Sequence, residues 1–228
     1  MDWNTIDTCI QNKSLLKHKF YTAWSAGQLT LPDLQMYAKQ YYALETTFPR
    51  LLSRIHSTCD QPSMRQAILA NLNDEELGAE NHRELWLRFA EGVGCNRDEV
   101  ISAPLNAETA ECVRTLMELA AHPNPAVGLS MLYAYESQLP AISQSKIDGL
   151  KRFYGIEDQR ALCFFEVHKE VDAWHSAQEK SMIDELGASE EEVKQATETA
   201  CAALWHFLDG VNAERLVRNG ISDEVCCH

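Results

Sequence analysis

The sequence is short of the residues that build turns and strands. Glycine occurs ten times and proline seven times in 228 residues. Strict apolar–polar alternation is hard to find, which argues against a hairpin-built sheet protein. Long apolar runs are missing too: stretches such as Ala200 to Phe207 span a few residues, where a bilayer crossing needs about 20. No membrane-spanning helix is expected. The opening Met1-Asp2-Trp3-Asn4 lacks the basic-then-apolar layout of a signal peptide, and a cytoplasmic location is expected. Basic residues are outnumbered: 20 Lys and Arg against 34 Asp and Glu give a net charge of −14. Such a surface repels phosphate backbones and anionic lipid, so neither a nucleic-acid nor a membrane partner is expected. Cys9, Cys59, Cys95, Cys112, Cys163 and Cys201 are scattered singly and read as free thiols rather than a disulfide framework. Only Cys226-Cys227-His228 cluster.

What is present is helical spacing. Apolar residues make up 45% and charged residues 24% of the chain, ordinary for a globular protein with one core. Ile6, Ile10, Leu15, Leu16, Phe20 and Trp24 recur at three to five residues before Gly27 offers a stop. Thr30-Leu31-Pro32-Asp33 supplies a cap, a first-turn proline and an acid three residues after the cap. Tyr37, Tyr41, Leu44, Phe48, Leu51, Leu52 and Ile55 continue that helix, with a kink expected at Pro49. Further helices are predicted near 62–72, 74–91, 106–121, 125–153 (bent at Pro140), 157–185 and 189–209, the last opened by Ser189 and three glutamates. The expectation is a single all-α domain over residues 1–209, followed by a flexible C-terminal tail over 210–228.

Three of these helices carry metal-ligand chemistry. His168, Asp172 and His175 stand at i, i+4 and i+7, so one helix face holds all three. Phe164 and Phe165 one turn earlier turn part of that stripe inward. Burying two imidazoles and a carboxylate without partners costs several kcal/mol, so they either coordinate something or hydrogen-bond one another in a polar core. Glu75 and His82, seven apart, are expected on one face of a second helix. Glu76 rivals Glu75, because adjacent side chains diverge by about 100°. Glu136 lies in a run otherwise fit for a core. Three imidazoles and three carboxylates suit a pair of iron or manganese ions better than a thiolate-rich structural zinc site.

These residues also carry a resemblance. Phe20-Tyr21-Thr22-Ala23-Trp24, Tyr37-Ala38-Lys39-Gln40-Tyr41-Tyr42, Asp74-Glu75-Glu76, Asn81-His82, Leu132-Tyr133-Ala134-Tyr135-Glu136-Ser137-Gln138 and the His168/Asp172/His175 stripe resemble the CADD family, named for chlamydial proteins associating with death domains, within the haem-oxygenase-like di-iron oxidases. The similarity spans almost the whole chain and fades beyond Leu208. It implies a haem-oxygenase-like (PqqC/TenA-like) bundle of seven to eight helices. It implies two metal ions, Fe/Fe or Mn/Fe, at Glu75, His82, Glu136, His168, Asp172 and His175, with dioxygen and an external reductant as co-substrates. The activity it implies is an oxidoreductase making para-aminobenzoate for folate from its own side chains. In that scheme Tyr21 is the ring source, Lys146 the amino donor and Tyr135 a neighbouring redox-active tyrosine. A homodimer is implied as well.

Taken without the resemblance, the same three residues read more plainly. Tyr21 on the apolar stripe of its helix is a buried tyrosine with its hydroxyl bonded. Tyr135 points about 100° from Glu136 and is placed to line the next wall of a cavity. Lys146, in Ser143-Gln144-Ser145-Lys146-Ile147-Asp148, reads as a surface lysine. Tyr37, Tyr41 and Tyr42 supply a second aromatic wall or ordinary core packing. The competing functions are a conventional di-metal oxygenase acting on an external small molecule, a death-domain-binding module, and a metal-free hydrolase. The last wants a cysteine nucleophile, and no cysteine has a His and an acid at helical spacing.

Overall fold

Thr30 sets the start of the helix that forms one wall of the site. In the computed structural model, which describes residues 1–221, its hydroxyl accepts from the Asp33 amide while the Asp33 carboxylate accepts from the Thr30 amide, closing a capping box. The eleven α-helices among the described residues are α1 (Trp3–Asn12), α2 (Lys19–Ser25), α3 (Leu31–Thr58), α4 (Pro62–Glu76), α5 (His82–Gly92), α6 (Arg97–Ile101), α7 (Ala107–Ala120), α8 (Pro125–Glu136), α9 (Leu139–Tyr154), α10 (Gln159–Leu186) and α11 (Glu190–Asn219), with a short 3-10 turn at Leu15–Lys17. No strand occurs among the described residues, and helix accounts for 81% of the structure. The fold is the all-α bundle expected, with more helices than seven or eight.

The extra helices come from breaks that periodicity missed. The helix expected over 74–91 is two: α4 ends at Glu76, and α5 starts at His82. Between them Gly78 takes φ +83°, a conformation that favours glycine, and Asn81 caps α5 through the Glu84 amide. Likewise the helix expected over 125–153 is interrupted at Ser137 and Gln138. Pro140 falls in the first turn of α9, where its missing N–H costs nothing, rather than at a bend. Through Pro49, by contrast, α3 runs on to Thr58, the continuation that Leu51, Leu52 and Ile55 predict.

Packing decides the C-terminal boundary. The helix expected to stop at 209 runs on to Asn219 and buries Val211 and Leu216. Arg218 Nη2 and Asn219 Nδ2 donate to the wholly buried Asp33 carboxylate at 2.8 and 3.0 Å, which pins the end of α11 to the start of α3. Residues 210–219 therefore belong to the bundle, and Cys226-Cys227-His228 lies outside the described residues. In the middle, α10 packs on α9, α8 and α5, and α3 packs on α4, α5 and α7, so α3, α4, α5, α8 and α10 enclose a common interior. Trp24, Trp86, Tyr37, Phe89, Phe164 and Phe165 fill much of it. At Gly149 on α9 an added Cβ would sit 2.6 Å from the Trp24 indole. That glycine lets α9, which carries Lys146, lie close against α2, which carries Tyr21. No described helix is long and apolar enough to cross a membrane.

Candidate metal centre

The five enclosing helices deliver carboxylates and imidazoles to one buried region. α10 contributes His168, Asp172 and His175; α8 contributes Glu136; the last turn of α4 contributes Glu75; and α5 begins with His82. All six are buried. Glu75 and His82 are not on one helix as their spacing suggested. The turn between α4 and α5 nonetheless brings Glu75 Oε1 to 2.8 Å from His82 Nδ1. Glu76, the rival acid, is exposed.

Two clusters result. Glu45, His82 and His168 place one donor atom each within 4.8 Å of one another, and so do Glu136, Asp172 and His175. The clusters adjoin: one small cavity is lined by Glu45, Glu75, His168 and Asp172 together with Tyr41 and Tyr135. In the first, the His168 ring pairs its Nδ1 with the Phe164 carbonyl at 2.7 Å, leaving Nε2 as the free donor. In the second, His175 Nδ1 lies 3.6 Å from Glu136 Oε2 and 4.0 Å from Asp172 Oδ1. Its Nε2 faces Asp74 at 3.5 Å. Asn71 Nδ2 donates to Glu136 Oε1 at 3.2 Å and fixes that carboxylate.

These donors fit cations better than they fit one another. His82 Nδ1, Glu136 Oε2, Asp172 Oδ2 and His175 Nε2 are buried with no hydrogen-bond partner among the described residues. Buried polar atoms are ordinarily paired, and each orphan costs about 1–3 kcal/mol. The 2.8 Å approach of Glu75 to His82 does not align as an N–H···O bond. The acids show the same lack of compensation. Burial and the Glu75 charge push Glu45 up to about 8. Burial likewise pushes Glu136 to about 8, against the lowering effect of Asn71. Burial, then Glu136 and Glu75, raises Asp172 well above the carboxylate range. Burial and the neighbouring His82 hold His168 well below its ordinary value. Divalent ions would reverse the penalty on the carboxylates by supplying positive charge.

Glu45 was missed in the sequence, although a signal was there. It follows Leu44 on the Tyr41–Phe48 stripe of α3, a charge at a position that periodicity assigns to the interior.

Beyond the carboxylates lies an aromatic compartment. Lys146 is not a surface lysine: it is 2% exposed, and its Nζ lies 4.9 to 5.8 Å from the ring centroids of Tyr21, Tyr37, Tyr41, Trp86 and Phe165. Burial pulls its pKa down to about 7, with Glu45 acting in the other direction. Lys146 Nζ donates to the Tyr37 hydroxyl at 2.6 Å, and that hydroxyl stands 2.9 Å from the Tyr21 hydroxyl. Tyr135 faces the cavity and pairs its hydroxyl with that of Tyr41. Tyr42 is only half-buried and takes no part. The cavity between the tyrosines and the carboxylates measures about 10 Å³, room for about one water-sized molecule. None of the described cysteines lines this cavity. Burial pushes the Cys112 and Cys201 thiols up to about 12.

Known proteins share both the sequence and the fold. The family model described as "Iron-containing redox enzyme" matches residues 35–207. A protein named 4-aminobenzoate synthase from Chlamydia pneumoniae is 39% identical over 205 residues, covering 89% of this chain and 91% of its own length. A protein of the same name from Nitrosomonas europaea is 38% identical, covering 96% of this chain and 94% of its own. Among solved structures, a domain of unknown function with a haem oxygenase-like fold from Shewanella denitrificans superposes with a TM-score of 0.80 at 19% identity, over 96% of this chain and 94% of that one.

Proposed function

The chain belongs to the haem-oxygenase-like family of iron-containing redox enzymes, and on that premise we propose that it is a 4-aminobenzoate synthase that consumes its own side chains. The ring comes from Tyr21 and the nitrogen from Lys146. Two iron or manganese ions, held by Glu75, His82, His168, Glu136, Asp172 and His175 with Glu45 beside them, would supply the activation of dioxygen at the expense of an external reductant.

The observation that carries this reading is the occupancy of the compartment beside the carboxylates. Ligand pockets for external small molecules typically enclose about 300–1,000 Å³, whereas this cavity has about 10 Å³. A phenol and an amine already stand where a substrate would: Tyr21 and Lys146 meet through the Tyr37 hydroxyl. On the tyrosine side the space left suits dioxygen better than a second aromatic molecule, which weighs against an external substrate bound beside Tyr21.

The residues around this compartment have definable tasks. Burial brings Lys146 near 7, so a large fraction is neutral at physiological pH with a nitrogen lone pair to give. Tyr37 holds the lysine and the sacrificial phenol in register. Tyr135, bonded to Tyr41 at the cavity wall, stands between the carboxylates and the aromatic compartment, the place for an electron relay. The product carries one carbon beyond its ring, so the Tyr21 Cα–Cβ bond is the one cut and Cβ, oxidised at the expense of dioxygen, becomes the carboxylate; the Lys146 Cε–Nζ bond breaks and its nitrogen replaces the phenolic oxygen, which leaves as water. Homodimerisation belongs to the same proposal, and sedimentation of the purified chain tests it.

Growth on ring-labelled tyrosine tests self-consumption. The labelled protein, supplied with Fe(II) or Mn(II), reductant and oxygen, should release labelled 4-aminobenzoate, about one per chain, with a matching mass loss at residue 21. Unlabelled product, or many turnovers with Tyr21 intact, would overturn it.

A further inference from the structure

One buried acid is left over by this scheme. Glu179 is on α10, seven residues after Asp172 and four after His175, so it extends the same helix face by one turn. It is 3% exposed, and neither carboxylate oxygen has a hydrogen-bond partner among the described residues. Its side chain meets the Glu136 carboxyl group. Two polar groups nearby are committed elsewhere. Asn71 is spent on Glu136, and the adjacent Lys180 turns to Asp7 and the Trp3 ring.

Asp33 shows what this protein does with a buried acid that serves structure. Its carboxylate accepts from Thr30, Arg218 and Asn219. Glu179 has no such set. Leaving a carboxyl unpaired in an interior costs several kcal/mol, and packing alone offers no return for it, because an apolar residue would fill the space beside Leu52, Ile68 and Met182. Two facing carboxylates in a dry site require a shared proton or a shared cation.

We propose that Glu179 is a further anionic residue of the metal centre, turning the Glu136/Asp172/His175 cluster into a set of three carboxylates and one imidazole for a divalent cation. The first cluster, with two imidazoles, already has its additional acid in Glu45. This inference rests on reading the site as a two-ion centre.

Metal binding, rather than activity, tests it. Mn(II) is titrated into the purified, chelator-stripped full-length chain under argon, with free Mn(II) counted by electron paramagnetic resonance and unfolding temperature measured at each point. The wild type should take two ions. Glu179→Gln should keep one and bind the second about tenfold or more weakly, in the range seen when supporting residues of metal sites are removed. Its metal-free form should unfold at the same temperature as wild type or higher, because an unpaired buried acid is gone. Glu179→Asp, which keeps the charge, should recover part of the second binding event. Two ions bound equally well by wild type and Glu179→Gln would overturn the role of Glu179 and leave the two-ion centre standing. A metal-free Glu179→Gln that unfolds well below wild type, with both ions lost, would mark a structural residue and overturn it as well. A wild type that fails to take two ions would instead overturn the centre itself.

Discussion

Lys146 on α9 and Tyr37 on α3 are 109 residues apart in sequence and share a 2.6 Å hydrogen bond in the interior. That bond joins the amine to the phenol of Tyr21 through one hydroxyl. It converts a lysine that sequence assigns to the surface into the only cation of an aromatic compartment among the described residues.

Removing that hydroxyl should be felt at once. Tyr37→Phe leaves the buried Lys146 nitrogen without its acceptor, a loss of about 1–3 kcal/mol. Chemical denaturation should show that loss, and product yield should fall because Lys146 and Tyr21 lose their common contact.

The lysine also sets a pH dependence. Its folded pKa, about 7, lies below the ordinary value near 10.5, so between those two limits the unfolded chain holds a proton that the folded chain has shed. Stability contributed by residue 146 therefore rises with pH from about 7 to about 10. The unfolding temperature of wild type relative to Lys146→Met should climb across that window. Single-turnover product formation should rise through pH 7 as the amine becomes neutral.

Lys146→Arg keeps the charge and stops product formation, since guanidinium does not give up a free amine. Tyr21→Phe should also stop it while leaving metal content unchanged, because only one hydroxyl leaves a packed ring. Mass analysis of protein and released small molecules, beside metal quantitation, checks both.

At the metal centre, His175→Ala removes one imidazole from the second cluster. Metal content should fall below that of wild type and oxygen consumption should cease. Full occupancy of both sites in this variant would remove His175 from the ligand set.

Gly149→Ala tests the approach of α9 to α2. The new Cβ would meet the Trp24 indole at 2.6 Å, and forced overpacking costs about 1–3 kcal/mol. Thermal unfolding should register that cost, and product yield should drop as Lys146 is moved relative to Tyr21.

Local chemistry in the sequence determined the helices and several of their ends. The Thr30/Asp33 capping box, the Ser189 cap and the inward His168/Asp172/His175 stripe are contacts within one or two turns, and their spacing alone specifies them. Tertiary structure decided what periodicity cannot reach. Spacing reports which face of a helix is covered, not which residue covers it. Hence Glu45 and Glu179 went unnoticed, Glu75 and His82 met across a turn rather than along one helix, and Lys146 lay inside. Each depends on the packing of elements distant in sequence: α3 on α5, α10 on α8, and α9 on α2 at Gly149. Burial then set the proton affinities of the acids and the lysine, because a charge withdrawn from water is worth what its neighbours provide.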